Sequence, residues 1–233
     1  MIKVAAIIPA YNEERRIGAV LSVVERAGLF DDIVVVDDGS TDHTLEKLPT
    51  NNGVRALRLA ENVGKGGAMW AGVHGTDADI ALFLDADLVG LQREHLRSLV
   101  EPVAAGEADM CVGVFRHGRY WTDLAQRLVP YISGQRALRR ETFLSVPRVR
   151  FARSGVEVAL TYHARVQGWR VTSVPLVGIT HVMKEEKMGA LRGLWARTGM
   201  YWEIASYISS ERCRRSASGA LRSLRRLLGE QPE

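Results

Sequence analysis

The chain has 233 residues, 46% of them hydrophobic, and a formal net charge of +4. That is enough apolar material for one domain with a substantial core, with no apolar run of the roughly 18 residues a membrane span needs. The charge excess is too mild to indicate nucleic acid; it fits anionic ligands or a membrane surface. The two cysteines, Cys111 and Cys213, match no metal or redox spacing, as expected for a reduced cytoplasmic protein. Met1-Ile2-Lys3-Val4-Ala5 runs straight into a strand, so no secretory leader is expected.

In chain order, Val4 to Pro9 predicts a first buried strand. Asn12 is placed to cap a helix with Glu13 and Glu14 in its first turn; Ile17, Val20, Leu21 and Val24 form its apolar stripe and Gly28 ends it. Ile33 to Val36 is a second strand, ending in Asp37-Asp38-Gly39-Ser40-Thr41-Asp42. Ser40 or Thr41 is expected to cap a short helix ending near Leu48. Val54 to Leu59 reads as a third strand, and Glu61 to Ala68 as a glycine-rich turn leading into a helix through Val73. Ile80 to Leu84 is a continuous apolar run that delivers Asp85-Ala86-Asp87, and a helix from about Gln92 to Ala105 follows. Met110 to Val114 is a further strand. Ser133 is expected to cap a helix carrying Arg136, Arg139 and Arg140. Gly155 to Val166 reads as a helix, Trp169 to Leu176 as a strand and His181 to Lys187 as a charged loop.

Strands and helices alternating through short connections predict an α/β fold: a doubly wound, mostly parallel sheet with helices on both faces. The expected domain covers residues 1–187. Residues 188–233 form a C-terminal helical extension, with Leu191, Leu194, Trp195 and Trp202 on one face and Leu221, Leu224 and Leu228 beside Arg222, Arg225 and Arg226 on another. Stripe and charge together suit packing on the domain or resting on anionic lipid.

In such a sheet the parallel strands present their ends on one edge, so three acid-bearing segments converge on a single ligand. Two carboxylates in Asp-x-Asp suit a divalent cation that also grips phosphates, although a solvated turn has the same composition. Lys65 and the glycines beside it offer unhindered amides to a diphosphate. The turn lacks the Gly-x-x-x-x-Gly-Lys-Ser/Thr of nucleotide hydrolases, and no Gly-x-Gly-x-x-Gly follows the first strand. Asp37 and Gly39 are equally suited to shaping a turn.

Four segments in order, Ile7-Ile8-Pro9-Ala10-Tyr11-Asn12-Glu13-Glu14, Val34-Val35-Val36-Asp37-Asp38-Gly39-Ser40-Thr41-Asp42, Asn62-Val63-Gly64-Lys65-Gly66-Gly67-Ala68 and Leu84-Asp85-Ala86-Asp87, resemble family 2 glycosyltransferases of the GT-A fold. The resemblance implies a hexosyltransferase using a UDP- or GDP-linked sugar with Mn2+ or Mg2+. It implies that Pro9, Ala10, Tyr11 and Glu13 border the base and ribose, that Asp38 binds the base, and that Lys65 and Gly66 lie near ribose and diphosphate. Asp85 would meet ribose or the metal shell, and Asp87 would ligate the metal and serve catalysis. A His after the last strand, here His181, completes the metal shell in some members. Where members carry Gly-Glu-Asp with an Asp base, this chain has Gly155-Val156-Glu157; Glu157 is then the candidate base, or else a buried acid paired with Arg153 or Arg136. Arg136, Arg139 and Lys184 are candidates for the diphosphate or an anionic acceptor.

The expected acceptor is a polyprenyl phosphate, as in dolichyl-phosphate mannose synthases, or another phosphorylated or lipid acceptor. A hydroxyl of a small phosphorylated metabolite, as in glucosyl-3-phosphoglycerate synthases, or of a polysaccharide is the alternative. A sugar nucleotidyltransferase or a non-catalytic nucleotide-sugar module is the reading of another class. Expected partners are the donor, the acceptor, an anionic membrane surface that would hold the protein at the inner face of the membrane, and a second copy in a homodimer; nucleic acid is not expected.

Overall fold

The computed structural model describes residues 1–49, 53–116 and 133–181. A seven-stranded sheet is flanked by helices, in the order β3-β2-β1-β4-β7-β6-β8. The strands are β1 (Val4–Ala10), β2 (Asp32–Asp37), β3 (Val54–Arg58), β4 (Ile80–Phe83), β6 (Met110–Arg116), β7 (Arg136–Arg139) and β8 (Val171–Val177). A two-stranded ribbon pairs β5 (Leu88–Val89) with β9 (Thr180–His181). The helices are α1 (Ile17–Ala27), α2 (Lys65–His74), α3 (Arg93–Ala104), α4 (Arg140–Leu144) and α5 (Val156–Gln167). Every strand of the large sheet runs parallel to its neighbours except β7, which is antiparallel to both β4 and β6.

Alternation along the central strands builds two cores. Val4, Ala6 and Ile8 of β1 with Ile80, Leu82 and Leu84 meet the stripes of α1 and α3. Ile7, Ala81 and Phe83 turn the other way, toward Ala68, Met69, Phe143 and Leu160. A strand buried on both faces has no polar side, which is why β4 reads as an unbroken apolar run. Gly72 lets α2 sit tightly on β1: a Cβ there would lie 2.5 Å from Ile7 Cγ2.

Three local expectations are corrected. Asn12 does not cap α1, which starts at Ile17; its own φ is 56° and its Oδ1 accepts the Thr41 amide at 2.9 Å. Glu13 and Glu14 therefore lie in the connection rather than in the first turn. Ser40 and Thr41 cap no helix. Ser40 Oγ accepts the Asn12 amide at 2.9 Å, and only a 3-10 turn, Leu45–Lys47, forms before Leu48. Arg136 to Arg139 is a strand, not a helix, because it fills the gap between β4 and β6, and Ser133 donates to Gly113 O instead of capping. Gly28, with φ 60°, ends α1 as expected. The expected helices beyond Met188, the proposed boundary at 187/188 and Lys184 lie outside the described residues. Among the described residues, no helix is long and apolar enough to cross a membrane.

Candidate active site

β1, β2 and β4 end on one edge, in a register that places Ala10 opposite Asp37 and Ile7 opposite Phe83. The first two strand ends are laced together: Asp38 N donates to Ala10 O at 2.9 Å, and Glu13 N to Thr44 Oγ1 at 2.8 Å. Pro9 is half-buried, Ala10 buried and Tyr11 exposed, while Glu13 pairs with Arg16 at 3.3 Å. Asp37 shapes the turn, its Oδ1 accepting the Ser40 amide at 3.0 Å.

Asp38 is buried, and its carboxylate accepts two backbone amides of the glycine-rich segment, Val63 N at 2.8 Å and Gly64 N at 2.9 Å. Burial pushes this carboxyl above the usual range, against the pull of the two amides and of Arg153. Asp38 thus fixes the entry to α2. That helix begins at Lys65 without a side-chain cap, leaving the positive end of its dipole at the site. Gly66 has a packing reason to lack a side chain, since a Cβ there would lie 2.6 Å from Val149 O.

The centre of the site is a charge cluster. Lys65 Nζ lies 2.5 Å from Asp85 Oδ1 and 2.5 Å from Glu157 Oε1. Burial works against its positive charge, but the two carboxylates outweigh it and hold the ammonium well above its ordinary value. Asp85 Oδ2 accepts Gln135 Nε2 at 2.8 Å. The strand register explains this contact: Phe83 pairs with Arg136, so the residues before Arg136 continue alongside Leu84 and Asp85. Gly134 lies opposite Asp85, where a Cβ would come within 2.5 Å of both Asp85 Oδ2 and Lys65 Nζ.

Arg136 underlies the cluster. It is fully buried, donating through Nε to Ser133 O at 2.8 Å and through Nη1 to Thr161 Oγ1 at 2.7 Å. Burial lowers its pKa to about 10, while Glu157 and Asp85 oppose the shift. Its surroundings make it a support beneath the site rather than a surface contact for an acceptor. Arg139 is not brought to the site: it pairs with Ile80, at the opposite end of β4 from Asp85. Glu157 is buried at the start of α5 and bonded to Lys65, a partner that its sequence neighbours did not suggest.

Asp87 is half-buried just before β5. The β5–β9 register sets His181 opposite Leu88, so the chain brings His181 within one residue of Asp87 along the ribbon. Hard carboxylate oxygen with imidazole is a donor set that suits Mn2+ and tolerates Mg2+. Asp85 suits direct ligation less, because both its oxygens already accept protein donors. No group of three or more His, Cys, Asp or Glu side chains is assembled for a metal among the described residues. Gln135, Gly134 and the buried seat of Arg136 were not legible from the sequence, where Ser133 reads as the cap of a helix.

A family model described as "Glycosyl transferase family 2" matches residues 5–158. Glucosyl-3-phosphoglycerate synthase of Mycobacterium tuberculosis is 32% identical over 121 residues, 48% of this chain and 37% of that protein. Dolichol-phosphate mannosyltransferase of Pyrococcus furiosus is 34% identical over 117 residues, 48% of this chain and 33% of the relative. The matched stretch thus spans little more than a third of these relatives. A crystal structure of the M. tuberculosis synthase with Mn2+, uridine diphosphate and phosphoglyceric acid superposes with a TM-score of 0.72 at 27% identity, covering 90% of this chain and 78% of that one. The fold is that of this synthase.

Proposed function

This chain belongs to glycosyl transferase family 2, and from that premise we propose that it transfers a hexose from a nucleoside diphosphate sugar to an acceptor already ionised at a phosphate, a polyprenyl phosphate first of all. The observation that supports this acceptor is the position of Glu157: its Oε1 is taken by Lys65 at 2.5 Å, leaving only Oε2 to meet an acceptor hydroxyl. A phosphate oxygen attacks the anomeric carbon without a base.

In this reading the loop from Pro9 to Glu13 and the Asp38 turn border the nucleoside. Lys65 and the amino end of α2 face the diphosphate, where a preorganised cation and helix dipole stabilise the charge that grows as the glycosidic bond breaks. Asp85 and Glu157 orient Lys65, and Asp87 and His181 are the residues that would hold Mn2+ or Mg2+. Such an ion supplies Lewis-acid neutralisation of the departing diphosphate. The likeness to a synthase crystallised with Mn2+ and uridine diphosphate supports UDP over GDP.

A second reading rests on the same neighbour, which binds phosphoglyceric acid. There the acceptor is a hydroxyl of a small phosphorylated metabolite. Release of nucleoside diphosphate from UDP-glucose and GDP-mannose, with Mn2+ and either a detergent-dissolved polyprenyl phosphate or 3-phosphoglycerate, separates the two. Turnover with the polyprenyl phosphate alone is expected; turnover with phosphoglycerate alone replaces the first reading with the second.

A further inference from the structure

Beside the glycine-rich segment lies a surface with no part in the transfer just described. The run Pro147-Arg148-Val149-Arg150-Phe151-Ala152-Arg153 carries three arginines and no acid. It folds into a 3-10 turn, Val149–Phe151, leading into a second, Arg153–Gly155. Val149 and Ala152 turn inward and are buried, whereas Arg148, Arg150 and Arg153 are exposed and Phe151 is 58% exposed. Arg148 and Arg153 both adopt left-handed backbone, φ 56° and 41°, an arrangement unfavourable for residues with a Cβ.

Packing explains why the turn keeps this shape. Its backbone lies against the start of α2, where the Cβ atoms missing from Gly66 and Gly67 would meet Val149 O at 2.6 Å and Arg150 O at 3.2 Å. Phe151 is therefore held outward on a braced base. The guanidinium of Arg150 lies 4.5 Å from its ring centroid and that of Arg148 5.7 Å. Arg150 also lies 5.6 Å from the ring of Trp70. Neither Arg148 nor Arg150 forms an ion pair among the described residues.

We propose that this turn docks the protein on an anionic bilayer, with Phe151 entering the headgroup boundary and Arg148 and Arg150 meeting lipid phosphates. The charge complementarity is direct: unpaired guanidinium groups surround an exposed aromatic ring, the combination that binds an anionic interface. A single exposed turn of this length offers far less than the roughly 800 Å2 per partner of a specific protein interface. The turn touches the segment that carries Lys65, so docking there brings a lipid-linked phosphate to the donor site. That purpose rests on the polyprenyl phosphate reading, whereas the docking itself does not.

The test is co-sedimentation of the full chain with vesicles of phosphatidylcholine, alone or with a third of phosphatidylglycerol. Wild type is expected to bind the anionic vesicles only. Arg148→Gln with Arg150→Gln should lower that binding by roughly 30-fold, at about 1 kcal/mol per arginine, and Phe151→Ser by about tenfold. Arg148→Lys with Arg150→Lys should keep most of it. The thermal shift with uridine diphosphate and Mn2+ should be the same in every variant. Absence of wild-type binding, or undiminished binding by the glutamine variant, overturns the proposal; the latter places any membrane contact elsewhere in the chain. Wild-type sedimentation without transfer to any polyprenyl phosphate removes the acceptor reading alone and leaves the docking surface standing.

Discussion

Lys65→Met keeps the length of a side chain and removes the charge that joins two acids. Asp85 Oδ1 and Glu157 Oε1 each lie 2.5 Å from Lys65 Nζ, so they stand no more than about 5 Å apart. At that spacing two carboxylates repel by about 3 kcal/mol at an effective dielectric near 20. Arg136 stays beneath them and offsets part of this, so the variant should lose about 2–4 kcal/mol at about pH 8, overlapping the lower end of the roughly 3–5 kcal/mol usual for breaking a buried pair. The pH dependence carries the sharper test. In wild type the Lys65 ammonium is held above its ordinary value by Asp85 and Glu157, against the opposing effect of burial. Its contribution is fully present below the unfolded pKa and is lost only as pH rises through the still higher folded value, so it is constant between about pH 5 and pH 8. In the variant the folded state takes up a proton that the unfolded chain has released, relieving the crowding as pH falls. Stability then falls with rising pH, and the gap from wild type widens. Urea unfolding of both proteins across that range measures the gap. A difference below about 1 kcal/mol, unchanged between the two ends, would show that Lys65 is not the electrostatic link between the acids.

Gly134→Ala would set a Cβ within 2.5 Å of Asp85 Oδ2 and Lys65 Nζ. Those are side-chain ends that can give way, so stability should change by less than about 1 kcal/mol while affinity for uridine diphosphate with Mn2+ drops about tenfold in calorimetry; unchanged affinity would separate the cluster from donor binding. Asp38→Asn turns an NH2 group toward one of the amides from Val63 and Gly64, at a cost of about 1–3 kcal/mol in urea unfolding. Wild-type stability there would mean the two amides find other acceptors. Cys111 is fully buried and its thiol is pushed up to about 12 by burial. In a Cys213→Ser background it should resist a disulfide reagent at about pH 8 until denaturant is added, and prompt labelling of the native protein would contradict its burial.

The strands that carry the acids were legible because a strand buried on both faces leaves a plain signal, as in Ile80 to Leu84. The mostly parallel sheet with helices on both faces followed from the alternation of strands and helices along the chain, whereas the order of the strands within it came only from the structure. β7 escaped detection for a physical reason. Arg136-Ala137-Leu138-Arg139 is four residues long, and its strand character comes from the neighbours β4 and β6 that it joins. Asn12 has the composition of a helix cap, but hydrogen bonds to Ser40 and Thr41 hold it in a left-handed turn. At the site, the sequence singled out Lys65, Asp85 and Glu157 separately. Their union spans residues distant in the chain, and no local pattern encodes a partner 92 positions away.

The close seating of the 149–153 turn on the start of α2 also bears on how this scaffold can be altered. Gly64, Gly66 and Gly67 each leave out a side chain that would strike Arg153, Val149 or Val63, with Arg150 also near Gly67. Two stretches far apart in the chain therefore share one mould. A loop transplanted from a relative into positions 147–155 must arrive with the glycine-rich stretch that was shaped to receive it, or the graft will displace Lys65 while leaving every acid in place.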